Sequence, residues 1–270
     1  MDLQRFILIT ILIVSIDKTC SAQILPGAKQ IALSHADIAG SDDVFSVFNN
    51  PAGLSQISST QIGIYYSPSP FGLKQLANGF GAVAKNFEFG SAAIGFSTYG
   101  FELYKENKLT FSFAKNINEN FSAGISVFYH SLSITNYGND NTLSFTIGSS
   151  VILSENLMLG FAAQNITRSS YGNESNQIPT VFCTGLSYNL QKDFILHFAF
   201  EKEIENPLSL RFGIDYQPIE YVNLRLGFMN EPSSFSGGLG INYSYFNLDY
   251  ALFTHQDLGV THQIGLIINL

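Results

Sequence analysis

From residue 60 to residue 270, apolar side chains alternate with small or polar ones in one stretch after another. In the segment 109–114, one face carries Leu109, Phe111 and Phe113, and the other carries threonine, serine and alanine. The same pattern recurs in later segments, which are 208–216, 222–228, 246–252 and 263–270. Because successive side chains of a β-strand point to opposite faces, a period of two predicts strands with one apolar face.

The chemistry of the second face decides which solvent the apolar face meets. A soluble sandwich buries its apolar face and shows water many lysines and glutamates, whereas a transmembrane barrel turns that face to lipid. Here the second face is mostly Ser, Gly, Ala, Thr and Asn. Charged residues make up 13% of the chain, against roughly 25% in soluble domains. The pattern therefore predicts an all-β fold, a transmembrane antiparallel β-barrel. Its lumen is lined by small and polar residues, and its outer face contacts outer-membrane lipid.

The number of alternating segments predicts about fourteen strands, and counts of twelve or sixteen stay open because strand ends are hard to place. Most segments have roughly 9–13 residues, close to what a tilted strand needs to cross hydrocarbon. The predicted strands are 60–68, 76–86, 88–98, 106–115, 120–132, 142–153, 156–165, 178–190, 193–202, 207–217, 220–229, 233–243, 245–253 and 260–270.

The connections alternate between tight turns and longer polar links, as in barrels with short periplasmic turns and longer external loops. The longer links are predicted at 69–75, 99–105, 133–141, 166–177, 203–206, 230–232 and 254–259, with 166–177 the longest. Ten tyrosines near strand ends are candidates for an interfacial girdle. They are Tyr65, Tyr66, Tyr99, Tyr104, Tyr129, Tyr188, Tyr216, Tyr221, Tyr243 and Tyr245.

Residues 1–22 have the pattern of a secretory signal, with Arg5 before a short apolar run and small residues at its end. A membrane anchor is the alternative, but the run is shorter than the roughly 20 apolar residues that a spanning helix needs. Asp17 and Lys18 disfavour a lipoprotein signal at Cys20. Cleavage after Ala22 leaves Cys183 as the one cysteine and excludes an internal disulfide. A chain exported in this way and built as a barrel is expected in the outer membrane.

Residues 23–58 precede the alternating region and predict a plug segment, followed by the barrel over 59–270. Ser41 is a candidate helix cap, with Asp42 and Asp43 in the first turn and an apolar stripe behind them. Pro51 is expected to end that turn. A periplasmic cap or a loosely ordered leader is the alternative to a plug in the barrel mouth.

A set of residues at the two ends of the chain carries a resemblance to a known family. They are Gly27-Ala28-Lys29, Ala32-Leu33, Ala36, Asp42-Asp43 and Asn50-Pro51-Ala52-Gly53-Leu54 near the start, and Leu258 to Leu266 with its Gly259, Thr261 and His262 near the end. This pattern resembles FadL-like barrels and is most similar to the PorV/PorQ branch associated with type IX secretion. Ser34-His35 stand where that family usually has two glycines.

The resemblance implies a barrel of about fourteen strands whose N-terminal segment occupies the lumen. It assigns the plug motif to Asp42, Asp43, Asn50, Pro51, Ala52 and Gly53, and a C-terminal motif to Gly259, Thr261 and His262. PorV-like and PorQ-like members act in secretion and surface attachment, whereas FadL imports hydrophobic molecules. The implied partners are type IX secretion components or cargo, or alternatively a hydrophobic small molecule.

Five charged residues fall on the predicted inward face of C-terminal strands: Glu201, Arg211, Asp215, Arg225 and Asp249. A paired ladder that keeps charge out of lipid explains them, and a contact surface for the plug or a polar permeation strip is the alternative. His197 beside Glu201 and Ser209 is a weak candidate for hydrolysis, since no nucleophile motif or metal-ligand spacing is present. No catalytic residue, metal or cofactor is therefore predicted, and a net charge of −8 argues against nucleic acid.

These observations lead to one main hypothesis and two alternatives. The main hypothesis is a PorV/PorQ-like accessory or anchor in type IX secretion and surface attachment. A FadL-like transporter of small hydrophobic molecules is the first alternative, and a purely structural barrel is the second. An acyl-chain pocket lined by the plug and inward aromatic rings, with a lateral opening in the wall, would favour the transporter. An occluded lumen with an extracellular partner surface would favour the accessory.

Overall fold

The wall of the protein is a closed barrel of fourteen antiparallel strands, in which each strand pairs with the next and β14 pairs with β1. The computed structural model describes residues 25–172 and 178–270. The predicted fold class is confirmed. The strands are Gln61–Ser67 (β1), Asn78–Phe87 (β2), Gly90–Phe101 (β3), Tyr104–Asn118 (β4), Phe121–Ile134 (β5), Gly138–Ser154 (β6), Leu157–Gln164 (β7), Val181–Gln191 (β8), Phe194–Glu203 (β9), Ser209–Ile219 (β10), Val222–Asn230 (β11), Ser233–Tyr243 (β12), Phe246–His255 (β13) and Gly259–Asn269 (β14).

Alternation along the strands separates an apolar outside from a small and polar inside. On β11, Leu224 and Leu226 are 46% and 64% exposed, whereas Arg225 between them is 5% exposed. Closure leaves no edge strand, so the backbone groups of the wall bond to one another and the outer face can be apolar throughout. Within residues 25–172 and 178–270, no helix is long and apolar enough to cross a membrane.

The rhythm of short and long connections is only partly as predicted. The links expected at 99–105 and 133–141 are wrong, because β3 runs to Phe101, β4 begins at Tyr104, and β5 and β6 leave three residues between them. The strands β4, β5 and β6 have 15, 14 and 17 residues, so the wall is tallest there. The β7–β8 connection, 165–180, is the longest between strands. Strand pairing continues into the predicted loops because the backbone amides and carbonyls of these polar residues still form hydrogen bonds with the neighbouring strand.

Three of the ten tyrosines assigned to the girdle are misplaced. Tyr65 is 1% exposed and packs inside the barrel against Phe80, with ring centroids 5.5 Å apart. Tyr99 and Tyr104 lie on inward-facing positions and contact each other edge to face. These three tyrosines lie near strand ends, as predicted, but they face the lumen. The face on which each side chain lies is set by the strand register and not by its distance from a loop.

The N-terminal segment, residues 25–60, contains one short helix and two 3₁₀ helices. Helix α1 spans Ala28–Ala32, and the 3₁₀ helices span Val44–Val47 and Pro51–Gln56. Two further 3₁₀ turns, Pro70–Gly72 and Lys74–Leu76, lie in the β1–β2 connection. The predicted signal at 1–22 lies outside the described residues. After α1, Ser34 and His35 both adopt the left-handed conformation, with φ of 52° and 56°, a conformation that favours glycine.

The predicted cap of the second helical turn is wrong by two residues. Asp43, not Ser41, is the cap, since its side chain accepts a hydrogen bond of 2.8 Å from the Phe45 amide. The Ser41 hydroxyl lies 2.7 Å from that of Ser46 instead. Pro51 does not simply end the preceding helical turn. It is the first residue of the next 3₁₀ helix, where the missing amide proton costs no hydrogen bond.

Inward-facing residues all around the barrel contact the N-terminal segment. Helix α1 packs against β11, β12, β13 and β14, and the Pro51–Gln56 helix packs against β3, β4, β5 and β6. Val44, Phe45 and Phe48 belong to one buried apolar cluster with Tyr65 and Phe80 of the wall. The segment therefore lies inside the barrel and fills its lumen.

Glycine is the wall residue that makes room for this segment. A methyl group built on Gly63, Gly95 or Gly124 would come within 2.4–2.6 Å of Val44, Phe48 or Pro51. The same holds on other strands, where the wall glycines with contacts under 3.0 Å to the segment are Gly148, Gly160, Gly185, Gly227 and Gly238. Eight strands thus lack a side chain at the point where the N-terminal segment touches them.

Adding a methyl group at one of these glycines is expected to loosen the packing. In Gly124→Ala, the new carbon would lie 2.5 Å from the Pro51 backbone, which cannot rotate away. Overpacking of this kind costs about 1–3 kcal/mol of unfolding free energy. Urea titration in detergent, followed by circular dichroism, measures the loss.

Gly81→Ala is the matched control for this substitution. Gly81 has no atom nearer than 3.9 Å to a built methyl group. We expect this variant to unfold at the same urea concentration as the unmodified chain. Equal stability of Gly124→Ala and Gly81→Ala would show that the segment yields easily at this contact.

Candidate functional site: a filled lumen with two small cavities

Asn50 ties the N-terminal segment to itself and to the wall. Its side-chain amide donates to the Ile38 carbonyl at 2.9 Å and to the Ser149 carbonyl of β6 at 3.3 Å. Its Oδ1 atom accepts from the Ala52 amide at 3.2 Å. Ala52 is fully buried, and a methyl group on Gly53 would lie 2.3 Å from the Ser41 carbonyl oxygen. The Asn-Pro-Ala-Gly turn is thus a compact, buried corner.

The two aspartates of the plug motif have different surroundings. Asp42 forms an ion pair of 2.5 Å with Lys29 of α1, and its side chain is 57% exposed. Asp43 is buried and accepts a second hydrogen bond, of 2.8 Å, from the Gln30 side chain. Both aspartates therefore connect α1 to the 3₁₀ turn, Asp42 through charge and Asp43 through hydrogen bonds.

The predicted polar strip consists of two separate groups of charges. In the larger group, Arg225 donates from Nε to Asp215 at 2.9 Å and from a second nitrogen to Asp249. The strand between Arg225 and Asp249 supplies Gly240, where a built methyl group would lie 2.7 Å from Asp249 and 2.8 Å from Arg225. The missing side chain on β12 allows an ion pair to cross from β11 to β13.

The smaller group pairs Arg211 with Glu201, whose second oxygen lies 3.4 Å from the Cys183 sulfur. His197 does not join this group, because its Nδ1 atom lies 2.8 Å from the Ser187 hydroxyl. No His, Cys, Asp and Glu cluster in the described part of the chain is arranged to hold a metal ion. The charges of the strip are thus partnered within the wall.

The residues of the C-terminal motif do not come together. Gly259 begins β14 with a positive φ of 87°. Thr261 is buried and faces inward, whereas His262 is exposed on the outer face and its Nδ1 lies 2.6 Å from the Tyr250 hydroxyl. Neighbouring positions on a strand face opposite ways, so the motif marks the start of β14 and not a single site.

One cavity in the lumen has a volume of about 30 Å³. Phe48 of the N-terminal segment and Phe80 and Phe128 of the wall supply aromatic surface. Its polar lining includes Lys108, His130, Ser144, Thr146 and Asn165. These residues lie toward the loop end of β2, β4, β5 and β6, so the cavity is on the external side of the segment. The space admits a few small atoms and no more.

A second cavity of about 10 Å³ lies between the N-terminal segment and β7–β9. His35, Asp37 and Asn49 line it, together with Cys183 and Glu201. Burial raises the pKa of Asp37 to about 7, and burial together with the charge of Arg211 lowers the pKa of His35 to about 3. His35 is therefore neutral near pH 7, and the carboxyl of Asp37 titrates well above the usual range of an aspartate.

The sequence reasoning missed the external cavity. Lys108 received no role, although its position on the inward face follows from the alternation around Thr110 and Ser112. Phe48 was placed in an apolar stripe, but its contact with Phe80, 5.3 Å between ring centroids, joins residues that are distant in sequence. A cavity depends on several such long-range contacts, so no single segment could have revealed it.

Comparison with known proteins finds relatives by structure and none by sequence. No family model matches the chain, and no curated protein matches it. The CymD monoaromatic hydrocarbon channel is similar over 91% of this chain and 97% of its own, with a TM-score of 0.70 and 13% identity. The fold is that of outer-membrane channels, and this protein is an outer-membrane β-barrel.

Two further solved structures agree. The toluene transporter TodX of P. putida is similar over 88% of this chain and 98% of its own, with a TM-score of 0.65 and 10% identity. A FadL homologue of Pseudomonas aeruginosa is similar over 90% and 96%, with a TM-score of 0.61 and 12% identity. The likeness at these identities is one of fold, and it lies with FadL-type channels.

Removing the positive charge from the larger ion group is expected to destabilise the barrel strongly. Arg225→Met leaves Asp215 and Asp249 buried without their cation, and breaking a buried pair in this way costs about 3–5 kcal/mol. Replacing both aspartates by asparagine in the same chain should restore much of the loss. Urea unfolding in detergent measures all three proteins.

Lys29→Met serves as the comparison for this substitution. Its partner Asp42 is more than half exposed, so the pair contributes only about 0–1 kcal/mol. A loss for Lys29→Met as large as that for Arg225→Met would contradict the view that burial, and not charge alone, sets the cost.

Proposed function

We propose that this protein is an outer-membrane conduit for small hydrophobic molecules, held closed here by its N-terminal segment. The aromatic cavity on the external side of that segment carries the proposal, because three rings converge there in an otherwise filled lumen. The fold likeness to a toluene transporter and a monoaromatic hydrocarbon channel supports it. Apolar surface with a few polar groups is what a site for a small hydrophobic ligand requires.

Transport on this proposal requires the N-terminal segment to move. The segment fills the lumen where the wall glycines lie, and the cavities of about 10 and 30 Å³ that border it are smaller than a ligand such as toluene. Specific polar contacts hold it: the hydroxyls of Ser34 and Ser236 lie 2.8 Å apart, and Ser236 donates to the Ala32 carbonyl at 3.0 Å. Opening therefore exchanges these contacts for water and ligand.

A disulfide between the segment and the wall tests this requirement. The two hydroxyls of Ser34 and Ser236 are close enough for Ser34→Cys and Ser236→Cys to form a bond after a small adjustment. We expect oxidation of this double variant in proteoliposomes to stop uptake of labelled toluene and reduction to restore it.

A second double variant separates movement of the segment from stiffening of the barrel. The Ser122 hydroxyl donates to Asn116 Oδ1 at 2.7 Å, and the two residues are register partners within the wall. Asn116→Cys with Ser122→Cys should transport toluene equally well when oxidised and when reduced. Undiminished toluene uptake by the oxidised Ser34→Cys, Ser236→Cys protein would overturn the proposed gating.

A PorV/PorQ-like accessory of type IX secretion is the second candidate, favoured by one observation. The two lumen cavities described above, of about 10 and 30 Å³, are smaller than a transported molecule. A barrel that anchors cargo or a secretion partner needs no passage. On this alternative, the oxidised Ser34→Cys, Ser236→Cys protein should support surface attachment of cargo as well as the reduced protein, and neither should take up toluene.

A further inference from the structure

Lys108 is a basic side chain inside the barrel that has no ion-pair partner among the described residues. It lies on the inward face of β4 and lines the external cavity. The four ion pairs of the described chain involve Lys29, Arg211 and Arg225 (the last in two pairs). Glu106, two residues along the same strand, accepts a hydrogen bond from Tyr104 instead. An ammonium group in a partly apolar cavity loses much of its hydration, and here no carboxylate of the described residues at ion-pair distance compensates for that loss.

His130 stands directly opposite Lys108 on the neighbouring strand and adds a second unsatisfied group. The two residues are register partners between β4 and β5. His130 is 3% exposed, its Nε2 atom lies 2.7 Å from the Ser144 hydroxyl, and its Nδ1 atom has no partner within the described chain. When Ser144 donates to Nε2, the neutral ring carries its proton on Nδ1 and offers it as a donor.

Ser144 and Thr146 place hydroxyl groups on the next strand along the same cavity. Because the Ser144 hydroxyl already donates to His130, the polar part of the lining offers an ammonium, an imidazole N–H and the Thr146 hydroxyl. A carboxylate accepts from each of these groups, and charge-assisted hydrogen bonds of this kind are the strong ones. The carboxylate of Glu106 lies nearby and repels a ligand carboxylate. The attraction of the ligand to the Lys108 ammonium must therefore exceed this repulsion.

Aromatic rings form the apolar side of the same cavity. The rings of Phe48 and Phe80 meet edge to face at 79°, and Phe128 stacks on His130 at a centroid distance of 5.9 Å. A further ring that joins such a cluster gains a favourable ring–ring interaction in addition to the burial of its apolar area. Leu25 and Pro26 line the cavity as well and belong to the segment whose movement the proposed function requires.

We infer that the preferred ligand of this cavity is a single-ring aromatic carboxylate, bound with its carboxylate at Lys108 and His130 and its ring among the three phenylalanines. The inference rests on the proposed function and narrows it from hydrophobic molecules in general to an aromatic anion. The cavity of about 30 Å³ accepts the carboxylate, and displacement of Leu25 and Pro26 makes room for the ring.

Uptake of three probes by proteoliposomes tests the inference: benzoate, toluene and octanoate. Toluene keeps the ring and lacks the charge, whereas octanoate keeps the charge and lacks the ring. We expect the unmodified protein to take up benzoate fastest. Lys108→Met should lower benzoate uptake roughly tenfold, because it removes a charge-assisted bond, and should lower toluene uptake much less, because toluene carries no charge for Lys108 to bind.

Two further variants distinguish recognition from a general effect of charge or folding. Lys108→Arg keeps the charge and should retain most of the benzoate uptake. Lys105→Met removes a lysine from the exposed outer face of the same strand and should behave as the unmodified protein. Circular dichroism of each variant confirms that the barrel is folded before uptake is measured.

The possible outcomes separate this inference from the function on which it rests. Faster toluene than benzoate uptake, or equal benzoate uptake by Lys108→Met, would overturn the inference and leave a hydrophobic conduit in place. Octanoate taken up faster than benzoate would overturn the choice of an aromatic ligand. Uptake of none of the three probes by the unmodified protein would overturn the inference and the proposed function together.

Discussion

Hydrocarbon offers a peptide group no hydrogen-bond partner, so every amide of a strand that crosses a membrane must bond within the wall. Pairing of β14 with β1 closes the sheet and meets this requirement for all fourteen strands. Closure frees the outer face to be apolar and confines the polar side chains to the lumen. A lumen of this size must then hold water or protein, and here residues 25–60 fill it.

The wall and the N-terminal segment are matched residue by residue. Gly148 and Gly160 are bare where Asn50 and Ala39 approach, and Gly240 is bare where Arg225 reaches across β12 to Asp249. A glycine on the inward face of a strand weakens the strand slightly but admits close approach of another backbone. The lumen is thus packed as the interior of a soluble domain is, with the membrane on the outside.

The sequence allowed prediction of whatever depends on local pattern. The fourteen strands follow from alternation, and most boundaries fall within a few residues of the observed ones, because side-chain period is a property of each segment. Other features depend on the register between strands or on contacts between residues far apart in the chain, and these could not be predicted. They are the inward position of Tyr65, the helix cap at Asp43 and the ion pair that crosses β12 at Gly240. The cavity around Lys108 depends on six separate segments, which no single stretch of sequence specifies.

Charged and aromatic side chains lie on different sides of the lumen. The paired charges Glu201, Arg211, Asp215, Arg225 and Asp249 lie on β9, β10, β11 and β13, whereas Tyr65, Phe80 and Phe128 lie on β1, β2 and β5. On the charged side each basic group has an acid at hydrogen-bond distance, so that side is electrostatically complete. Among the described residues, Lys108 on the aromatic side has no acid at that distance. A partly buried cation in a cavity with apolar walls is costly unless an anion neutralises it. A ligand that carries both a carboxylate and an aromatic ring would neutralise Lys108 and pack against the phenylalanines of that side.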